Sequence, residues 1–235
     1  MINQVVSKII DEVDFNNPSQ TTSYLNMYNY KRLRNLPEIY NSIDYFTLDG
    51  IMMILFLRLF YGKKFERKAP DFSSYFIEMF ADIASHNRTI CFVGGSEKDI
   101  IQFVKIVKEN YPDLRISHAI SGYDLEEDSV IDQFISEQVD VVVVGLGTPK
   151  QEKFMFRLRN KGYKGAVFSC GAFISQTASK GREYFPNVVN KFHIRWIYRI
   201  YKEPKLFKRY FISYPRALFQ LLRDYRTNKN TTISY

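Results

Sequence analysis

The residues best suited to chemistry are Gly145–Glu152, which have the sequence GLGTPKQE and directly follow the apolar run Val141–Val144. Glycines at the end of a buried strand let a ligand approach the backbone closely. A helix that begins near Pro149 would present free N–H groups to an anion at its first turn. Lys150 places a positive charge where the helix dipole disfavours one, and an anionic ligand would explain it. An ordinary strand-to-helix turn with a solvated lysine fits the same spacing, so the pattern leaves both interpretations open.

Asp49 is a second candidate, because it follows an apolar strand-like run and precedes Gly50 and an apolar helix. An aspartate at that point is either the N-cap of the helix or a general base that faces a cleft, and the local pattern favours the cap. Asn26 is also open. It is a turn residue or a sugar contact, and nothing nearby in the sequence separates the two.

The C-terminal part of the chain is strongly basic. The whole chain has a net charge of +8, but residues 180–235 contain 13 Lys or Arg and three acidic residues, a net charge of +10, so residues 1–179 carry about −2. Arg195, Arg199 and Lys202 would share one stripe of a helix that also carries Trp196. This pattern is typical of a helix at a membrane surface, although a core-packed helix with a solvated basic face has it too. The positive charge of this segment would also suit a phosphate-bearing substrate or a nucleic acid.

Alternating strand and helix patterns must position these residues. Strands are predicted at 22–30 (opening into a loop), 43–48, 89–95, 114–120, 139–147 and 165–172, and helices at 1–15, 29–41, 97–110, 127–138 and 149–160. Ser96 is predicted to cap the helix that follows it. The alternation indicates an α/β fold that is Rossmann-like, with a mostly parallel sheet of about six strands and helices on both faces. We expect a catalytic domain over 1–185 and a helical, basic, aromatic appendage over 186–235.

Ligands of such sheets bind beyond the carboxyl ends of the strands. Those ends are predicted at Gly94-Gly95, Gly122-Tyr123, Gly145–Gln151 and Cys170–Phe173. The two cysteines lie in apolar runs, the three histidines are scattered, and the sequence has no Asp-x-Asp pair, so no metal site is expected. The N-terminus does not resemble a signal peptide, and the longest apolar run, 51–62, is about half a membrane span. These features predict a cytoplasmic protein that is soluble or peripheral.

Taken together, these segments resemble the WecG/TagA/CpsF glycosyltransferases, glycosyltransferase family 26. The run Gly145–Glu152 and the run from Trp196 to Pro204 are the specific parts of the resemblance. The matching pieces occur in the family's order over roughly residues 20–212, and the others are Leu25-Asn26, Leu48–Gly50, Arg58, Gly62, Phe92–Gly95, Ser121–Tyr123, Gly171–Phe173 and Arg209-Tyr210.

The resemblance implies transfer of a sugar, often of N-acetylmannosamine type, from a UDP-sugar to a polyprenyl-diphosphate-linked saccharide at the inner face of the cell membrane. Such enzymes build teichoic acid linkage units, capsule or exopolysaccharide. It also implies inversion at the sugar without a metal, Asp49 as the base, and an appendage that contributes arginines and contacts anionic lipid. Departures from the family pattern, such as Ile174-Ser175 after Phe173, leave the donor sugar open.

We therefore expect Asp49, Arg195, Arg199 and Arg209 to be the catalytic residues. The residues expected to line the UDP-sugar site are Asn26, Gly94, Gly95, Gly122, Tyr123, Gly145, Gly147, Thr148, Pro149, Lys150, Gln151, Glu152 and Gly171. No metal or other cofactor is expected, and a homo-oligomer is possible. Two alternatives are a nucleotide-dependent oxidoreductase, whose dinucleotide fingerprint Gly94-Gly95 lacks, and a nucleic-acid-binding protein that uses the basic tail.

Overall fold

The computed structural model describes residues 2–123, 125–181, 195–202 and 204–232. Six strands are described: β1 (Thr21–Leu25), β2 (Tyr45–Leu48), β3 (Thr89–Gly94), β4 (Arg115–Ile120), β5 (Val141–Gly145) and β6 (Ala166–Ser169). The described α-helices are α1 (Ile2–Val6), α2 (Met27–Leu33), α3 (Pro37–Asn41), α4 (Ile51–Tyr61), α5 (Phe76–Ser85), α6 (Glu97–Asn110), α7 (Glu127–Ser136), α8 (Lys150–Asn160), α9 (Phe173–Lys180), α10 (Arg195–Lys202) and α11 (Tyr214–Thr232). A π-helical turn, Arg209–Ser213, leads into α11.

The six strands form one parallel sheet in the order β2-β1-β6-β5-β3-β4. This confirms the predicted Rossmann-like α/β fold. Strand β5 shows why the sheet is buried on both faces. Val141 and Val143 pack into the apolar cluster beneath α5, α6 and α9, whereas Val142 and Val144 pack into the cluster beneath α7 and α8. A strand between two layers of helices needs apolar residues on both faces, so its sequence does not alternate.

The cap of α6 matches its prediction. Ser96 Oγ accepts a hydrogen bond from the backbone N–H of Asp99, and the Asp99 carboxylate accepts one from the backbone N–H of Ser96. The cap satisfies two donors that would otherwise lack partners at the helix start. It also fixes the point where β3 ends and α6 begins. This point lies at the carboxyl edge of the sheet, where ligands are expected.

Two predictions for the N-terminal region are wrong. The helix predicted over 1–15 ends at Val6, because the chain then runs alongside β2, where Ile10 N–H donates to Phe46 O and Ile9 bridges Phe46. The helix predicted over 29–41 is two helices, α2 and α3. The second begins at Pro37, which favours an extended preceding residue and therefore interrupts a helix.

The C-terminal helix α11 packs onto the N-terminal part of the fold. Ala217 and Leu221 are fully buried in a cluster shared with α1, α2 and α4. Asp224 accepts two hydrogen bonds from the Arg34 guanidinium, at 2.6 and 2.7 Å, and one from the Tyr30 hydroxyl at 2.6 Å. Part of the predicted appendage is thus joined to the α/β layer by apolar and ionic contacts, while the boundary at residue 185 stays a prediction. Among the described helices, none is both long enough and apolar enough to cross a bilayer.

Candidate active site

A cavity of about 260 Å³ opens at the carboxyl ends of β1, β2 and β6. Parallel sheets bind ligands at this edge because the loops that follow the strands converge there. The cavity is lined by Tyr24, Asn26, Tyr28, Asn29, Asp49, Ala69, Pro70, Asp71, Gly147, Thr148, Cys170, Gly171, Ala172, Phe173, Gln176 and Arg209. These residues come from six separate stretches of the chain, so the cavity exists only in the folded protein.

Asp49 faces this cavity and does not cap α4. The helix is capped by Gly50, whose φ of +111° suits glycine, and among the described residues no side chain caps its first turn. The capping interpretation of Asp49 is therefore wrong. Asp49 Oδ1 instead accepts a hydrogen bond from Arg67 at 3.0 Å, and the same guanidinium nitrogen lies 3.4 Å from Asp71 Oδ2. Among the contacts of the described residues, none uses the second oxygen of Asp49.

Asn26 is a helix cap that also lines the cavity, and its role as a sugar contact stays a prediction. Its Oδ1 accepts hydrogen bonds from the backbone N–H groups of Tyr28 and Asn29, both at 3.0 Å, so it is the N-cap of α2. The residue is also buried and lines the cavity. The cap fixes the side chain, and the amide nitrogen, which the cap does not use, is the part that a ligand could contact.

Two arginines meet at the ring of Tyr28, beside the cavity. The guanidinium carbon of Arg209 lies 4.1 Å from the ring centroid, and that of Arg32 lies 4.6 Å from it. Arg32 also donates to the carbonyl oxygen of Thr148 at 3.2 Å. Arg209 lines the cavity, and its Nε is buried without a hydrogen-bond partner among the described residues. A half-buried guanidinium whose Nε lacks a partner is suited to bind an anion such as a phosphate.

The last two residues of the Gly145–Glu152 segment are buried behind the cavity wall. Glu152 and Gln151 are both fully buried. Glu152 Oε1 accepts hydrogen bonds from Ser23 at 3.1 Å, from Thr148 at 3.1 Å and from Gln151 at 2.8 Å. Gln151 Oε1 accepts the backbone N–H of Gly171 at 3.1 Å. The network joins α8 to β1 and to the loop after β6, and so holds Thr148 and Gly171 at the cavity.

Burial of Glu152 raises the pKa of its carboxyl group, and the hydrogen bonds to Oε1 oppose only part of that effect. Its Oε2 has no hydrogen-bond partner among the described residues. Since the folded state holds the proton more tightly than the unfolded chain, wild-type stability should fall as the pH rises above the ordinary value of 4.5. Glu152→Gln mimics the protonated group. We expect this variant to gain stability relative to wild type as the pH rises above about 5, as measured by urea unfolding. Parallel pH profiles would contradict the expectation.

Three of the predicted glycines are packed against backbone. Gly94 and Gly145 are neighbours on β3 and β5, and a Cβ on Gly94 would lie 2.6 Å from the Gly145 carbonyl oxygen. A Cβ on Gly122 would lie 2.5 Å from the Leu146 side chain and 3.2 Å from Gly94 Cα. Close packing of the strand ends therefore accounts for the absence of side chains there, independently of any ligand.

The cavity brings together six of the predicted site residues: Asn26, Asp49, Gly147, Thr148, Gly171 and Arg209.

Other predicted site residues lie at the same sheet edge but outside the cavity. Tyr123 is 80% exposed, Lys150 is exposed at the first turn of α8, and Pro149 follows a cis peptide bond just before that helix. Gly95 accepts the Gly122 backbone N–H at 2.9 Å. Arg195 and Arg199 belong to α10, but their side chains lie outside the described residues. The assignment of these residues to the UDP-sugar site stays a prediction.

Sequence reasoning missed several residues that build the cavity. Arg67 and Asp71 hold or flank Asp49, and Tyr24 and Tyr28 form part of the wall. Tyr24 lies near the end of β1, two residues before Asn26, so its position at the end of a strand was a usable signal. For Arg67 the only signal was an Arg four residues before an Asp, a spacing too common to indicate a site.

The chain is similar in sequence to known glycosyltransferases. The profile of the family described as "Glycosyl transferase WecG/TagA/CpsF family" matches residues 2–231. A UDP-Gal:alpha-D-GlcNAc-diphosphoundecaprenol beta-1,4-galactosyltransferase of Shigella boydii is 29% identical over 204 residues, which are 86% of this chain and 85% of the relative. N-acetylglucosaminyldiphosphoundecaprenol N-acetyl-beta-D-mannosaminyltransferases are also similar. The Bacillus spizizenii protein is 23% identical over 81% of this chain and 72% of the relative, and the Bacillus subtilis protein is 25% identical over 83% and 75%.

A family profile that covers nearly the whole chain, together with relatives of matching length, decides between the classes of function that the sequence left open. Glycosyl transfer replaces the oxidoreductase and nucleic-acid interpretations. The parallel sheet, the cavity at its carboxyl edge and the aspartate that faces it fit this class of enzyme. The chain belongs to the WecG/TagA/CpsF family of glycosyltransferases.

Proposed function

We propose that this enzyme transfers a hexose unit, of the N-acetylmannosamine or galactose type, from a UDP-sugar to a saccharide on a polyprenyl diphosphate in the synthesis of a cell-surface polysaccharide. The similar proteins from Shigella and Bacillus are named for transfer onto N-acetylglucosaminyl-diphosphoundecaprenol, which supports this acceptor class. The observation that carries the proposal is the position of Asp49, which does not cap the following helix and faces the cavity.

Asp49 would act as the general base. As the acceptor hydroxyl attacks the anomeric carbon of the donor, one carboxylate oxygen takes the hydroxyl proton while the bond from that carbon to the UDP oxygen breaks. A single displacement of this kind inverts the configuration at the anomeric carbon. Arg67 bonds to Oδ1, so Oδ2 is the oxygen available to the proton.

The leaving UDP needs positive charge near its diphosphate. Arg209 supplies a guanidinium at the cavity, and Arg32 lies at the same Tyr28 ring. Such fixed cations stabilise the charge that develops on a leaving diphosphate, and we propose that they do so here without a divalent metal. Arg195 and Arg199 would add to this set. The donor would extend from the cavity along the strand ends, past the Gly145–Lys150 loop towards Gly95, Gly122 and Tyr123.

We also propose that the enzyme works in the cytoplasm as a peripheral protein at the inner face of the cell membrane. Its acceptor is anchored there by the polyprenyl chain. The C-terminal segment exposes Phe207, Phe211 and Phe219, and basic residues such as Lys208 and Arg216 are exposed beside them. Aromatic and basic side chains together favour the interface of an anionic membrane. Assembly into a homo-oligomer remains a prediction.

The direct test is transfer by the purified full-length chain onto N-acetylglucosaminyl-diphosphoundecaprenol in detergent micelles. UDP-galactose, UDP-N-acetylmannosamine and UDP-N-acetylglucosamine would be compared, with and without EDTA, and the anomeric configuration of the product determined by NMR. We expect transfer from one UDP-hexose, an inverted product and a rate that EDTA leaves unchanged. Failure with every donor would contradict the proposed function. A loss of activity in EDTA that magnesium restores would contradict only the metal-independent part of it.

Arg67 should act as a positioning residue for Asp49. In Arg67→Ala the carboxylate loses its ion pair and its fixed orientation, and misplacement of a reacting group costs up to about 100-fold in rate. We expect kcat to fall about tenfold or more, with little change in KM for the UDP-sugar, and Arg67→Lys to recover part of the loss because it keeps the charge. An unchanged kcat, or a loss confined to KM, would remove Arg67 from this role.

A further inference from the structure

Helix α4 is apolar on both its buried and its exposed side. Met53, Phe56 and Leu57 are buried in the cluster shared with α11. The opposite side carries four large apolar residues that are exposed, which we call the α4 stripe: Ile51, Met52, Leu55 and Leu59. At 100° per residue they fall within one arc of the helix. A surface helix ordinarily carries polar residues on its outer side, so this outer side is suited to contact something apolar.

The α4 stripe begins beside the proposed catalytic base. Ile51 is two residues after Asp49, and the 11-residue helix is about 16 Å long at 1.5 Å per residue. Measured along the helix axis, every residue of the stripe therefore lies within about 20 Å of the Asp49 carboxylate. Leu59, the most exposed of the four at 77%, lies near the far end of the helix.

The charge around the stripe identifies its partner. Residues 51–64 contain three basic residues, Arg58, Lys63 and Lys64, and no acidic residue. Arg58 lies within the exposed arc, and the two lysines are exposed directly after the C-terminal glycine of the helix, Gly62. Apolar side chains bordered by basic ones fit an anionic lipid surface, where the former enter the acyl boundary and the latter meet phosphates. A purely protein partner would not require that all the charged residues beside the stripe be basic.

We propose that the α4 stripe is a membrane-docking surface that inserts into the headgroup boundary of an anionic bilayer and sets the depth of Asp49 relative to it. The inference rests on the proposed function in one respect, since a polyprenyl-linked acceptor presents its diphosphate at headgroup level. An interfacial helix is buried about 5–10 Å into that boundary. Docking through α4 therefore brings the cavity to the acceptor, in addition to any contact that the C-terminal segment makes.

A fluorescent probe tests the insertion directly. Both native cysteines are buried, and burial raises the pKa of Cys91 to about 11 and also raises the pKa of Cys170, so an introduced exposed cysteine would be labelled selectively. A polarity-sensitive dye would be attached to Leu59→Cys and, as matched control, to Ile101→Cys, since Ile101 is 64% exposed on α6. Vesicles of phosphatidylglycerol and phosphatidylcholine would be added, with pure phosphatidylcholine vesicles as the comparison.

We expect a blue shift at position 59, but not at position 101, with the anionic vesicles alone. In cosedimentation, Leu55→Gln combined with Leu59→Gln should bind these vesicles about tenfold more weakly than wild type, and Ile101→Gln should bind as wild type does. Bound protein without a shift at position 59 would overturn the proposal. So would a shift that appears without vesicles and grows with protein concentration, because a second copy would then cover the stripe. The assay contains no sugar nucleotide or acceptor, so its outcome is independent of the transfer assay.

Discussion

Asp49→Asn is expected to lower kcat for sugar transfer by about 100- to 10,000-fold, the usual contribution of a general base. The asparagine amide has nearly the same shape, and its oxygen still accepts the hydrogen bond from Arg67, but it does not take a proton at neutral pH. Because Gly50, and not Asp49, caps α4, the substitution removes no helix cap and the fold should persist. Thermal unfolding of the variant should therefore match that of the wild type within a few degrees.

Asp71→Asn is the matched control for this variant. Asp71 also lines the cavity and also contacts Arg67, at 3.4 Å instead of 3.0 Å. It should lose far less activity than Asp49→Asn if only Asp49 takes the proton. Steady-state kinetics with a fixed donor and varied acceptor would measure both. A wild-type rate from stably folded Asp49→Asn would remove Asp49 from the mechanism, and equal losses in the two variants would assign the effect to the Arg67 ion pairs.

Gly94→Ala is expected to lower the free energy of unfolding by about 4 kcal/mol. Its backbone φ of +148° costs a side-chain-bearing residue about 1–3 kcal/mol, and the new methyl group would meet the Gly145 carbonyl on the neighbouring strand, an overpacking cost of about 1–3 kcal/mol. Since the contact is with the backbone at the end of the neighbouring strand β5, no flexible side chain can yield. A typical domain has only about 5–15 kcal/mol of stability in total, so the loss would be large.

Gly62→Ala separates the two contributions. Gly62 has a φ of +64° and no atom within 4 Å of its virtual Cβ, so alanine there bears only the left-handed backbone cost of about 1–2 kcal/mol. Urea unfolding of both variants would measure the difference. If Gly94→Ala lost no more stability than Gly62→Ala, the strand ends would have room to spare. Gly94 would then be better explained by close approach of a ligand.

The centre of the fold could be predicted from the sequence because local and tertiary preferences agree there. The run of valines in β5 and the capping box at Ser96 specify their elements wherever the chain places them. The N-terminal region was harder, since Ile9 and Ile10 have helical spacing but lie along the edge of β2. A pairing with a strand more than 30 residues away leaves no local trace in the sequence.

A site residue could be predicted where its residue type and position have few structural roles. It was harder to predict where they have many. Asp49 was singled out by its place at a strand end, and Asn26 as a turn residue or a sugar contact, but whether each caps a helix or faces a ligand depends on neighbours that only the fold supplies. Arg67, for example, reaches Asp49 from a stretch without regular structure. Gln151 and Glu152 show the converse. Their conspicuous sequence predicted ligand contacts, and the structure places them fully buried in a hydrogen-bond network behind the cavity wall.

The order of strands also determines when this enzyme can begin to work during its synthesis. Strand β6 lies between β1 and β5, so the pair formed by residues 21–48 has no contact with the rest of the sheet until residues 166–169 arrive. A nascent chain that has emerged only as far as α8 would therefore hold two separate sheet fragments, each with an unpaired inner edge that is prone to association with other chains. The cavity needs a still later residue, Arg209. Premature termination anywhere before this point should leave an incomplete active site, and termination before β6 should leave a chain that aggregates.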